Sequence, residues 1–156
     1  MSESTEATVT HIRRVQELLS SVVTNLEHRA DVHDASKLQS PEVEAFEEYT
    51  AKLRGCTYGS EEYRGYLAAM KPALDHHYAK NSHHPEHWPD GIHGMSLLDL
   101  IEMLVDWKCA GERHADGCMF KSIDLNQKRF GYSDELKRFL LNTVVELWPN
   151  IQPRQL

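Results

Sequence analysis

The chain has 156 residues, 40% apolar and 26% charged, which suits one globular domain, 1–156, with a core of ordinary size. Seventeen Lys and Arg against 24 Asp and Glu leave a formal charge of −7. That excludes a broad nucleic-acid or membrane-binding surface, since both need clustered cations, but not small phosphorylated ligands, which need only a few.

The opening MSESTEATVTHIRR has no apolar leader stretch, and no apolar run nears the ~20 residues of a membrane span, so a cytosolic protein is expected. Val9, Ile12, Val15, Leu19, Val22, Val23 and Leu26 recur at three- and four-residue steps and predict a first helix of about five turns. His33 and Asp34 follow at the start of a short second element. Ser40-Pro41 reads as N-cap and first-turn proline, opening a helix through Leu53 that Gly55 closes. Ser60 is placed to cap a third helix from Glu61 to about Asn81, kinked or restarted at Pro72.

Pro85, Pro89, Gly91 and Gly94 make His84 to Gly94 a loop. Ser96 with Asp99 resembles a capping box, Asp standing for the usual Glu or Gln, and opens a helix carrying Glu102 and Asp106. Part of 115–130 reads as helix, and Ser133 caps a last one that runs to about Trp148 and stops at Pro149. Strand-like alternation is absent over any useful length. The expected fold is all-α, a compact bundle of about six helices. Cys56, Cys109 and Cys118 lack the close pair spacings of a zinc or redox motif, so buried free thiols in a reducing compartment are expected.

Ten histidines are present, and His76, His77, His83, His84 and His87 fall within twelve residues. His77 and His84 are seven apart, as are His76 and His83, so either pair can share a helical face, and Asn81 lies four after His77. Pro85 would end that helix just after His84. Asp99, Glu102, Asp106 and Arg113 form one stripe on an otherwise apolar helix, facing either solvent or a polar cavity. His11 lies near the apolar face of the first helix, where a core histidine is the plainer reading. Imidazoles and carboxylates without thiolates favour first-row divalent metals.

In order along the chain, His11, His33-Asp34 and Asp106 resemble the ligand series of the HD-domain superfamily of metal-dependent phosphohydrolases, which is all-helical. HDASK is similar to the HD-x-G-K string of its binuclear members, with Ser36 in place of Gly, and HHPEH to the His-His-Glu of HD-GYP enzymes. Over nearly its whole length the chain looks like an uncharacterised HD-like family of phage and bacterial proteins carrying HYxxNxHHPEH, EMxxDW and an NQKRFGYSDEL-type tail. The resemblance implies His11, His33, Asp34 and Asp106 as primary metal ligands, with His77, His83 and His84 completing a second position. The gap from His77 to HHPE is shorter than in HD-GYP enzymes, and the GYP signature is absent, which removes the reason to name cyclic di-GMP as substrate.

The implied chemistry is hydrolysis of a small phosphorylated compound, such as a nucleotide, with one or two divalent ions (Mn, Fe, Zn, Co or Mg) activating water. Lys37 could place an ammonium on phosphate, and Glu86 or Glu102 could serve as general base or orient a ligating histidine. Asn81, Arg113 and Arg129 are candidate substrate contacts, and Asn126 and Lys128 offer further polar groups. For Arg113 an internal salt bridge to Glu102 or Asp106 is the plainer reading. The same ligands would serve a di-iron oxygenase of the myo-inositol oxygenase type, or a metal-stabilised nucleotide-binding protein without turnover. A homo-oligomer is compatible with this sequence.

Overall fold

The computed structural model describes residues 2–56, 60–112 and 117–151, and all regular structure among them is helical. They carry seven α-helices, one more than expected, and three short 3-10 helices. By its internal contacts the chain divides into two units, Met1–His33 and Asp34–Leu156.

The first unit is one helix, α1 (Glu3–Val32), of 30 residues. It outruns the predicted five turns because the apolar row marks only its middle. At its start the Ser2 hydroxyl accepts from the Thr5 amide at 3.3 Å, with Glu3 and Glu6 in the first turn. It stops at His33, whose backbone (φ −51°, ψ 124°) leaves the helical region.

The second unit starts at Asp34, which adopts a left-handed conformation (φ 54°) and turns the chain into a 3-10 helix, Ala35–Leu38. Next come α2 (Glu42–Gly55), α3 (Glu61–Ala69) and α4 (Lys71–Lys80). Ser40 does not cap α2: its first turn is tied through the Gln39 carbonyl, which accepts from Glu42 and Val43. Ser60 caps α3 as expected, accepting from the Tyr63 amide at 3.0 Å. Pro72 restarts the helix, since α3 closes at Met70 and α4 carries Pro72 in its first turn.

Two further 3-10 turns, Pro85–His87 and Gly91–Gly94, lead into α5 (Leu97–Glu112), followed by α6 (Met119–Phe130) and α7 (Asp134–Leu147). The Ser96–Asp99 capping box is present: the Ser96 amide donates to Asp99 Oδ2 at 2.8 Å and the Asp99 amide to Ser96 Oγ at 3.2 Å. Ser133 caps α7 through the Leu136 amide. The apolar core lies among α5, α6 and α7, where Met103, Leu104, Ile123, Tyr132, Leu140 and Val144 are buried. Cys109 is exposed and Cys56 and Cys118 half-buried, so the three thiols are free but not the core residues expected, each sitting near a helix end or on an outer face. No described helix is long and apolar enough to cross a membrane.

Candidate metal centre

Asp34, His77, His83 and His84 each bring one potential ligand atom to a common point, all within 4.8 Å of one another. Their elements explain the meeting. His77 stands on the inner face of α4 and is 2% exposed. The helix then ends at Lys80 because the Asn81 side-chain amide takes the His77 carbonyl at 2.8 Å, competing with the next helical turn. Pro85 lacks an N–H and biases the residue before it to extended backbone, and His84 is extended (φ −93°, ψ 129°).

His83 and His84 therefore lie on a loop, not on the continuing helix that their spacing suggested. That loop is pinned. The Trp88 indole donates to the Ser82 carbonyl at 2.9 Å, the Ser82 hydroxyl to buried Asp99 at 2.6 Å, and the His87 ring to the Tyr78 carbonyl at 2.9 Å. Gly94 closes on Trp88 so tightly that a Cβ there would stand 2.9 Å from the Trp88 Cβ.

The distances within the cluster are those of a ligand shell. His77 Nε2 lies 3.3 Å and His83 Nε2 3.5 Å from Asp34 Oδ1, and His77 Nε2 lies 2.9 Å from His84 Nε2. Donors held tetrahedrally at ~2.05 Å from an ion stand about 3.3 Å apart, close to these three spacings.

Carboxylates behind the rings set their tautomers. Glu42, with no solvent exposure, accepts from His77 Nδ1 at 2.8 Å, His76 Nδ1 at 2.7 Å and the Ser36 hydroxyl at 3.0 Å. Glu102 stands 3.1 Å from His83 Nδ1. With a proton on each Nδ1, the lone pairs of His77 and His83 point inward at Nε2, which is how a ligating histidine is oriented. Burial pushes the His84 imidazole down to about 3, with neighbouring His83 and His77 adding to it, and burial likewise lowers His77. Both rings are neutral at ordinary pH, as ligation requires. Burial pushes Glu42 up, but its bonds from His76, Ser36 and His77 outweigh that and hold its carboxyl below the usual range.

Lys37 pairs with Asp34 Oδ2 at 2.5 Å and lies over the Phe46 ring, so its ammonium neutralises the outer oxygen of a cluster residue. Asp106 offers a carboxylate oxygen within 4.8 Å of an Asp34 oxygen. Asn81 braces the site, donating to the Ser36 hydroxyl at 2.8 Å. Glu86 pairs with Arg129 at 2.6 Å. His33 is the terminal residue of the first unit, one peptide bond before Asp34, and His11 lies exposed on α1. Arg113 lies outside the described residues.

Sequence reasoning missed Glu42 and Ser36 as supports, and the available signal was an acid directly after Pro41 beside the HDASK string.

A cleft of about 370 Å³ opens beside the cluster, lined by His84 and Asp106 together with Asn126, Arg129, Trp107 and Phe130 among others.

Residues 1–148 match a family described as of unknown function, DUF5662, and the chain belongs to that family. No curated protein and no solved structure matches it.

Proposed function

We propose that this protein is a metal-dependent phosphohydrolase of the HD type, acting on a small phosphorylated compound such as a nucleotide. The observation that carries the reading is the approach of His77 and His83 Nε2 to Asp34 Oδ1, with each ring braced from behind by a carboxylate and His84 completing the set. Three imidazoles and a carboxylate suit Zn, Fe, Mn or Co better than Mg, which prefers oxygen. A divalent ion bound there supplies Lewis-acid polarisation of a phosphoryl oxygen and acidifies its water.

The chain's own residues do the rest. Glu42 and Glu102 hold the ring protons on Nδ1, which leaves Nε2 as donor. Lys37 takes Oδ2 of Asp34 and so directs Oδ1 toward the imidazoles. Asp106 and His84 both line the cleft, so a phosphate bound there can reach them. Asp106, close to Asp34, is the carboxylate on hand to accept a proton or to hold a second ion. The HD resemblance adds His33 and His11 to the donors, on the sequence alone.

The test is metal analysis of the purified protein, followed by phosphate release from a nucleotide panel with manganese, cobalt or zinc. About one equivalent of metal or more is expected, with turnover abolished in Asp34→Ala and His33→Ala. Less than one equivalent, and no uptake of added manganese, iron or zinc, would overturn the reading. So would turnover surviving in either variant, or oxygen consumption by iron-loaded protein without phosphate release.

A further inference from the structure

On α6, Ser122, Asn126 and Arg129 stand at steps of four and three, so they share one face, and all three line the cleft beside His84 and Asp106. Near them the Trp107 and Phe130 rings stack, planes 5° apart and centroids at 6.3 Å, and both line the same cleft. The cleft lining thus combines polar groups, the Arg129 guanidinium among them, with two stacked aromatic rings. Its volume of about 370 Å³ lies near the small end of the ~300–1,000 Å³ of ligand pockets, enough for one small molecule and too little for a polymer.

Arg129 has a partner that belongs to the same chain segment as the histidines. Its Nη2 lies 2.6 Å from Glu86 Oε1, two residues after His84. The Tyr78 ring meets His84 edge-on at 5.1 Å, on the same cleft. Both ionic partners are accessible, with Arg129 58% and Glu86 28% exposed, and pairs of that kind are weak. A phosphate offers a guanidinium a doubly charged, bidentate partner instead of a single carboxylate.

We infer that this cleft binds one small phosphomonoester, with Arg129 taking the phosphate and Glu86 serving as the competing anion that holds Arg129 until the phosphate displaces it. The inference deepens the proposed hydrolase and rests on it for the chemistry, while the binding can be measured without turnover. Asn126 and Ser122 supply neutral hydrogen bonds along the same helix face, and the Trp107–Phe130 pair receives a flat or apolar remainder of the ligand. Glu86 would also disfavour binding of dianions at the rim in proportion to how firmly it keeps Arg129.

The test is calorimetric titration of inorganic phosphate into the full chain, with and without one equivalent of manganese, for wild type, Arg129→Ala, Arg129→Lys, Glu86→Gln and the Arg129→Ala/Glu86→Gln double variant. Arg129→Ala should weaken phosphate at least ~10-fold, because a charge-assisted bond to phosphate is lost, with Arg129→Lys in between. Glu86→Gln should tighten it about threefold, the size of an exposed ion pair, and that gain should vanish in the double variant. Circular dichroism and melting should be unchanged, since both side chains lie at the surface. Phosphate affinity within twofold of wild type in Arg129→Ala, or a Glu86→Gln gain that persists without Arg129, would overturn the inference. Failure of the hydrolase reading looks different: phosphate binding through Arg129 would remain while no nucleotide is turned over.

Discussion

Replacing Glu42 with Gln alters one atom of a side chain that has no solvent exposure and accepts three hydrogen bonds. Gln keeps one accepting oxygen and turns the other into an NH2 group, which must face a donor. If the oxygen stays with His76, the amide confronts His77 Nδ1, whose bond to Glu42 is 2.8 Å long. His77 escapes the clash by moving its proton to Nε2, the atom 3.3 Å from Asp34 Oδ1 and 2.9 Å from His84 Nε2. That nitrogen then has no lone pair to give. Losing a charge-assisted bond of this kind costs about 1.5–3 kcal/mol, which translates into metal binding ~10–100-fold weaker. The assay is competition for zinc against a chromophoric chelator, run beside urea unfolding of the metal-free protein, where a loss of about 1–3 kcal/mol is expected. Glu48→Gln, which removes only an exposed pair with Lys52, is the control and should change neither. A zinc affinity for Glu42→Gln within twofold of wild type would refute the tautomer argument.

Gly94→Ala should cost about 1–3 kcal/mol in urea unfolding and weaken metal binding, since the new methyl would stand 2.9 Å from the Trp88 Cβ and push on the loop that carries His83 and His84; unchanged stability would mean that the loop yields freely. The metal-free protein should lose stability on mild acidification. His84 is pushed down to about 3 from an ordinary 6.5, and His77 is lowered too, so below 6.5 the unfolded chain binds protons that the folded one refuses. Stability therefore falls as pH drops from 6.5 toward 3, by up to about 1.4 kcal/mol per pH unit for His84, with the lowered His77 acting in the same direction, and below about 4.5 the lowered Glu42 adds to the loss. Urea midpoints at pH 7 and pH 5 check this, with His84→Asn flattening the slope; identical midpoints at the two values would contradict it.

The caps at Ser60, Ser96–Asp99 and Ser133 were legible because each is written within four residues: a hydroxyl, and the amide or carboxylate it meets one turn on. Asp34, His77, His83 and His84 were legible as candidate ligands, since imidazoles and carboxylates without thiolates suit first-row metals, and the structure brings one atom of each within 4.8 Å of the others. Their local geometry was not. A seven-residue step suggested one helical face for His77 and His84, whereas Asn81 and Pro85 end that helix between them and a loop makes the approach. Glu42 was invisible for a different reason. An acid in the first turn of a helix is ordinary dipole chemistry, and its role arises only from His76 and His77, more than thirty residues away. The same long-range logic separates His77 from His76: one ring turns into the cluster, while the other spends its Nδ1 on Glu42 at a site a third exposed.

The left-handed backbone at Asp34 bears on which residues that position can ever hold. Among L-residues, Asp and Asn enter this region with least strain, and Gly enters it freely. Backbone shape alone thus favours a short list of residues, and a charged oxygen on a short side chain singles out Asp. Asn would preserve the turn into the following 3-10 helix yet carry no charge for Lys37 to meet, and Gly would preserve the turn yet leave nothing for the imidazoles to face. Glu, the ordinary conservative exchange for Asp, costs about 1–2 kcal/mol on the backbone before its longer side chain is considered. Folding and chemistry therefore select the same side chain at this position by independent criteria, and the two can be pulled apart there one atom at a time.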